Sequence, residues 1–353
     1  MSYNRFATPR AYVDLISHHL ATGWRTLDNI TTIQDDGSTA VTFNSNTHEA
    51  NLFDMKPHKF AKIDDATQRF YIDIDTGMTA TSFSESNYIA ILNHNMHDAN
   101  VSFSVKIDAD SSFGSATNVT TSGSHTKIIN AVQNTGTYSN QIHPDNNGWT
   151  LIRYSVAETD NRYLRITFQQ RAGTTTNFAE DLVIGSILWG EYVDFPRSPD
   201  LDIKTSIAYD NINLNQAIGG STYANSPSFG QPNWESTTPW GLSLSGNTDQ
   251  TKVYQKRSGR ISHSLKFSYL QDTEVYAEDI ASSSSSEWFD SSSLHSTFYN
   301  RIIGQQLPFM FTPDKDSTSE GDYGMFRIAN NSFNATQVAN RVWSMDLNLT
   351  ETW

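Results

Sequence analysis

The sequence predicts an all-β protein that consists of two β-sandwich domains, with one short helix in the C-terminal domain. Three observations support this fold class: aromatic residues, Ser, Thr and Asn are abundant, several segments alternate between apolar and polar residues, and turn-forming residues separate these segments. A chain of 353 residues is also long enough for two domains of about 150 residues, each with its own core.

Alternation with a period of two marks the strands that have one buried and one wet face. In Val101–Asp108, four apolar residues alternate with two serines, a lysine and an aspartate. Successive side chains of a strand point to opposite faces, so this pattern predicts a half-buried strand. The same alternation predicts further strands at residues 70–75, 163–168, 261–268 and 343–349.

Two runs, residues 88–92 and 182–189, are apolar at nearly every position. This pattern is typical of central strands that are covered on both faces. Turn-forming residues at 35–38, 145–148 and 320–322 predict the connections between strands.

Helical segments are few. Thr8 and Pro9 can begin a short helix that ends before Gly23, but the same segment can equally form an extended arm. Apolar residues at every fourth position predict one helix beside a sheet, at Leu294, Phe298 and Ile302.

Proline and serine mark the predicted boundaries. Pro196 and Pro199 end a strand and stiffen a linker at residues 192–199, and the serine-rich stretches 282–286 and 291–293 predict a mobile loop. We therefore divide the chain into an N-terminal arm (1–24), an N-terminal domain (25–195) and a C-terminal domain (196–353).

Composition excludes several classes of protein. The formal charge of −14 is spread over the chain and opposes binding to nucleic acid, whose phosphates require clustered Lys and Arg. The absence of cysteine excludes disulfides and thiolate metal sites. No apolar run reaches the ~20 residues of a membrane helix, so we expect no membrane insertion. Asp14 and two histidines interrupt the apolar stretch near the N-terminus, so we expect no secretory signal.

The sequence contains no recognisable motif for catalysis or cofactor binding. The nearest match to a serine nucleophile elbow, residues 241–245, lacks the second glycine, and there is no glycine-rich phosphate loop. His94 and His97 are three residues apart and could share a metal ion, although a polar turn at a strand end explains them better. We therefore predict no enzyme activity, no catalytic residues, no cofactor and no tightly bound metal.

The acidic residues can be explained without a metal site or a catalytic pair. The loop 314–322 looks like a calcium loop but lacks the Gly and Glu of an EF-hand, so a solvated hairpin tip is the better interpretation. Asp73 and Asp75 share the outward face of one strand, as solvation alone requires. A glycosidase pair cannot be chosen from 38 acidic residues on sequence grounds.

Several segments resemble a family of tailed-bacteriophage virion proteins that contain a galactose-binding-like jelly roll. The apolar strand and His-Asn turn at residues 89–96, followed by the strand at Val101, resemble part of this jelly roll. Residues 162–166 and 182–190 look like its closing strands. The following order is also similar: a strand at 260–269, a helix, then segments 306–314, 326–328 and 343–351. The serine-rich loop before the helix departs from the family pattern.

This resemblance implies a distal-tail-like structural protein of the tail tip or baseplate, made in the reducing cytoplasm of the host bacterium and found in the virion tail. The implied partners are other tail proteins, further copies of the chain and host-surface glycans, which jelly-roll loops could contact during host attachment. No ligand-binding residue is carried over. The alternatives are a carbohydrate-binding module or adhesin and, third, a glycan-processing enzyme.

The C-terminal domain is expected to form a homo-oligomeric ring. Its last strand carries Trp343, Met345, Leu347 and Leu349 on one face, and the chain ends in Trp353. We expect part of this surface to pack on the domain's own helix and the rest to contact a neighbouring subunit, with the terminal strand available for edge pairing.

Overall fold

The structure, a computed structural model, describes residues 6–34, 36–37, 39–43, 49–78, 87–155, 162–209, 213–225, 234, 259–276, 293–330 and 332–352. All strand pairs in these residues are antiparallel, and two large sheets face each other in the N-terminal half. The predicted all-β sandwich class is therefore confirmed.

The large sheet has twelve strands, and ten of them lie side by side in the order β14 (Lys204–Ala208), β17 (Arg260–Gln271), β21 (Val342–Glu351), β19 (Gly324–Ile328), β18 (Phe309–Thr312), β1 (Arg10–Asp14), β13 (Leu182–Asp194), β5 (Asn87–His94), β11 (Trp149–Tyr154) and β8 (His125–Ile129). Two more strands extend it: β20 (Ala335–Ala339) pairs with β21, and β3 (Ala61–Ile63) pairs with β13.

A second sheet covers one face of the N-terminal half. Its strands are β2 (Ile30–Gln34), β4 (Arg69–Asp75), β12 (Tyr163–Gln170), β6 (Val101–Asp108), β10 (Ile142–Pro144) and β9 (Ala131–Gln133), with β7 (Thr117–Asn118) paired to β6. A separate hairpin consists of β15 (Asn213–Gln216) and β16 (Thr222–Asn225). Short 3₁₀ turns lie at Leu27–Asn29, Glu49–Phe53 and Glu320–Asp322.

The N-terminal sandwich forms because alternate residues of its strands are apolar. Phe70, Ile72 and Ile74 of β4 are buried, whereas the residues between them face outward. The outward side chains of β5 are buried as well: Ile89 belongs to the core between the two sheets, and Tyr88 belongs to a cluster on the opposite face of the large sheet. This burial on both faces confirms the central strands predicted at 88–92 and 182–189.

The N-terminal segment combines both predicted alternatives, since β1 runs directly into the helix α1 (Leu15–Thr22). The carboxylate of Asp14 accepts hydrogen bonds from the backbone N–H groups of Ser17 and Trp189, both at 2.9 Å. The first bond caps the helix, and the second ties its start to β13. The helix ends at Gly23, whose φ of 72° suits a left-handed C-cap.

Strand β1 joins the two halves of the chain into one sheet. Arg10 pairs with Asp194 of β13 on one side and with Thr312 of β18 on the other. The guanidinium of Arg10 also bonds the carboxylate of Asp194, with Nη2 at 2.8 Å from Oδ2. Strand β13 continues through Tyr192 to Asp194, so the first residues of the predicted linker belong to the sheet. The predicted division into two domains at residues 195 and 196 remains a prediction.

In the C-terminal half, a helical segment packs on the sheet. Leu294, Phe298 and Ile302 are all buried against it, which confirms the predicted apolar face. The hydrogen bonds differ from those of an α-helix, because the N–H of Asn300 bonds the carbonyl five residues earlier. The segment therefore contains a π-helical turn, His295–Tyr299. A second short helix, Asp272–Val275, follows β17.

The terminal strand corrects our expectation of edge pairing. Strand β21 lies between β17 and β19, so neither of its edges is open along the length that these strands cover. Met345, Leu347 and Leu349 are buried, and Trp343 packs against Tyr276. The alternation in the sequence revealed one buried face, but it carried no information about which strands lie on either side.

Some sequence predictions lie outside the described residues. These are the serine stretch 282–286, residues 291–292, the segment 241–245, Asp35, Ser38 and Trp353.

Candidate functional site

His94 and His97 are not brought together as metal ligands. His94 ends β5 and is buried, with Nε2 at 3.1 Å from the hydroxyl of Thr150, whereas His97 is exposed in the following turn. Burial lowers the pKa of His94 to about 3, so its imidazole is neutral at pH 7. A structural histidine at a strand end fits this environment.

Asp73 and Asp75 are half-buried and ion-paired. The guanidinium of Arg165 on the neighbouring β12 bonds both oxygens of Asp73, each at 2.7 Å. Arg162 bonds Asp75 through Nε at 3.1 Å, and Arg25 approaches the same carboxylate. These carboxylates are not only solvated, because their ion pairs also connect neighbouring strands of the second sheet.

The acidic loop 314–322 connects the antiparallel strands β18 and β19, which confirms the predicted hairpin. Its polar groups bond within the loop and to a neighbouring loop. The backbone N–H of Asp316 bonds Asp314 at 3.0 Å, and the side-chain amide of Asn147 bonds Glu320 at 2.8 Å. The loop is thus fastened to the turn before β11.

A carboxylate cluster that we did not predict consists of Asp64, Asp65 and Asp181, whose oxygens lie within 4.8 Å of one another. No spacing along the chain predicts this cluster, since Asp181 is more than a hundred residues away from the other two aspartates. Lys62 already lies 2.6 Å from Asp181, and the N–H of Asp65 bonds the same carboxylate. This cation and donor partly balance the cluster, and we assign no ion to it.

The most distinctive surface lies on the C-terminal half, in the segment that we call the apolar arm (residues 201–209 and 213–225). Eleven large hydrophobic side chains are exposed among the described residues, and six of them belong to this arm: Leu201, Ile207, Tyr209, Leu214, Ile218 and Tyr223. Leu201 and Ile218 are fully exposed. Exposed apolar side chains that are concentrated in this way mark interaction surfaces.

Strand β14, the first part of the arm, is the outermost strand of the large sheet. It pairs with β17 on one side, and all five of its residues are exposed. The hydroxyl of Thr205 lies 3.0 Å from Nδ1 of His263, which helps to hold the strand on the sheet. Its other edge has no strand partner among the described residues, so it presents backbone donors and acceptors to a further strand.

The second part of the arm is the hairpin β15–β16. Its two strands pair with each other alone within the described chain, and the residues of β15 are exposed. Gly220, with a φ of 88°, lies in the turn at the tip, where Ile218 is fully exposed. An isolated two-stranded hairpin is marginally stable in water, so a packing partner would stabilise this one.

Charged side chains are few in the arm. Residues 201–225 contain two aspartates and one lysine, so three of 25 residues are charged, against 18% of the whole chain. The net charge per residue equals that of the whole chain, so the arm is distinguished by its exposed apolar side chains and not by its net charge.

Comparison of the chain with known proteins gives no match to a family model, to a curated protein or to a solved structure. Among the residues that the structure describes, no helix has the length and apolar character to cross a membrane.

Proposed function

We propose that this chain is a structural component of a tailed-phage virion, located at the tail tip or baseplate, where it assembles as a homo-oligomeric ring. The observation that carries the proposal is the apolar arm, an exposed surface with few charged side chains beside an edge of β14 that has no strand partner among the described residues. The segment-by-segment resemblance to virion proteins supports the location. The galactose-binding-like jelly roll would then be available to contact host-surface glycans.

The partner of the apolar arm in this proposal is a second copy of the chain. A strand of the hairpin in one copy can pair with the edge of β14 in the next copy, because edge pairing needs only backbone groups. A head-to-tail contact, in which the hairpin of one subunit packs on the edge of the next, closes into a ring when the rotation between subunits divides a full turn. The arm, and not the terminal strand, makes this contact in our proposal, because β21 lies inside the sheet.

Two variants of the full chain test the contact. Ile207→Lys places a charge on the open edge strand, and Val338→Lys places the same charge on β20, where the side chain is about equally exposed. Light scattering should give an oligomer for the unmodified chain and for Val338→Lys, and a smaller species for Ile207→Lys. A monomeric unmodified chain, or equal masses for both variants, contradicts the contact.

The location is tested on particles. An antibody against the chain, applied to tailed particles from cells that carry its gene, should decorate the tail tip in negative-stain images. Particles without decoration contradict the virion assignment. If the purified monomer instead binds glycans and no particle is decorated, the chain is a carbohydrate-binding module or adhesin.

A further inference from the structure

A cleft of about 240 Å³ opens where β17, β21 and β19 lie side by side. Arg327 of β19 pairs with Thr350 of β21, and Thr350 pairs with Ser262 of β17. Arg260 is two residues from Ser262 and therefore shares its face, so the two arginines lie on either side of Thr350. This face is the outer one, because the alternate residue Leu349 is buried in the core.

Two backbone carbonyl groups fix the orientation of Arg327, and no carboxylate of the described residues pairs with it. Its Nη1 atom donates to the carbonyl oxygen of Gln305 at 3.1 Å and also to that of Gln306. In the described part of the chain, no carboxylate lies within ion-pair distance of this guanidinium. Partial burial lowers the pKa of Arg327. A partly desolvated charge of this kind is costly unless an anion accompanies it.

Among the described residues, the other charged groups of the cleft do not balance the charge of Arg327. Glu351 accepts the N–H of Ile261 at 3.0 Å and lies near Arg260, which partly balances it. Burial raises the pKa of Glu351 to about 7, so at neutral pH its carboxyl carries only part of a negative charge. With Arg260 beside Glu351, the charge that remains is that of Arg327.

We propose that this cleft binds a carboxylate monoanion, which lies against the guanidinium of Arg327 and accepts a hydrogen bond from the hydroxyl of Thr350. A guanidinium presents its donors as a planar fork that matches the two oxygens of a carboxylate. One uncompensated positive charge favours a monoanion over a phosphate dianion, whose second charge would lie near Glu351. The carboxylate can come from a small organic acid or from an acidic side chain of another polypeptide.

The test uses the full chain at constant ionic strength and ligand-observed NMR titration with acetate, doubly blocked aspartate and inorganic phosphate. Both carboxylates should bind, and phosphate should bind more weakly. Arg327→Gln should weaken carboxylate binding about tenfold, which corresponds to about 1.4 kcal/mol. The matched control is Arg341→Gln, because Arg341 is exposed and pairs with Asp272 away from the cleft. Its affinity should equal that of the unmodified chain.

Arg327 also holds two backbone carbonyls, so circular dichroism must accompany its variant. Thr350→Val keeps the shape of the side chain, removes the hydroxyl and should weaken carboxylate binding severalfold without loss of structure. Tighter binding of aspartate than of acetate indicates an acidic side chain as the natural source, and the reverse order indicates a small acid. Equal affinities for the unmodified chain, Thr350→Val and a folded Arg327→Gln overturn the proposal, as does tighter binding of phosphate. These results do not depend on the proposed assembly.

Discussion

The guanidinium of Arg301 donates a hydrogen bond to the carboxylate of Glu191, and both side chains are almost completely buried. Glu191 lies on β13, and Arg301 follows the π-helical turn, so the pair connects the N-terminal half to the C-terminal half. Nδ1 of His18 on α1 lies 2.7 Å from the carbonyl oxygen of Arg301 and adds a second connection at the same place. The contact between the halves therefore includes a buried ion pair.

Removal of one member of this pair should destabilise the protein strongly. Glu191→Met or Arg301→Met leaves an opposite charge buried, at a cost of about 3–5 kcal/mol. The double variant Glu191→Met/Arg301→Met should lose less than the sum of the single losses, because no uncompensated charge remains. Urea denaturation of the four proteins gives the free energies of unfolding. Additive losses would contradict a direct coupling between the two side chains.

A methyl group at Gly190 should push β1 away from β13. A Cβ atom there would lie 2.1 Å from the carbonyl oxygen of Val13 and 2.9 Å from the backbone nitrogen of Leu15. We expect Gly190→Ala to lower the free energy of unfolding by about 2–3 kcal/mol. The control is Gly114→Ala, since the nearest atom to a Cβ there is a serine hydroxyl at 3.4 Å. Thermal melts that shift equally for both variants would refute this explanation.

Stability should depend on pH through Glu351. Burial raises the pKa of this carboxyl from 4.5 to about 7, so the folded protein binds the proton more tightly than the unfolded chain. The resulting stabilisation is complete below about pH 4.5 and is lost as the pH rises through 7, a change of about 3 kcal/mol. Glu351→Gln should remove this part of the pH dependence. Denaturation curves measured between pH 4 and 8 test it, and parallel pH profiles for the two proteins would be the contrary result.

Self-association should strengthen with salt. The formal charge of −14 repels copies of the chain, and the apolar arm contributes little charge to the contact. An increase in ionic strength from about 0.01 M to about 1 M shortens the Debye length from about 30 Å to about 3 Å. Sedimentation velocity should therefore show larger species at high salt. Dissociation at high salt would instead indicate contacts between opposite charges.

Strands with one buried face were predictable from the sequence because burial imposes a period of two on the residues. This holds for β4 and β6, and continuous apolar runs correctly indicated the central strands β5 and β13. The sequence alone did not reveal which strands pair with each other. Strand β1 lies between the two halves because its partners are roughly 180 and 300 residues away. Strand β21 lies inside the sheet because β17 and β19 pair with its two edges, and the alternation of its own residues does not show this.

The surfaces that carry our proposals gave weak sequence signals. Strand β14 has exposed side chains on both faces, so it shows no alternation, and only the pair Gly219–Gly220 hinted at the turn of the following hairpin. The cleft combines residues from β17, β19 and β21, which sheet pairing brings together from distant parts of the chain. No spacing along the sequence encodes such a group.

The position of β1 has a consequence for biosynthesis. Its two neighbours, β13 and β18, are synthesised roughly 180 and 300 residues after it. At about 5–20 residues per second, this strand waits about 15–60 s before its second partner exists. Closure of the central sheet therefore follows the synthesis of β18 and has a high contact order, and a nascent chain must keep an apolar strand from mispairing until β18 has been made.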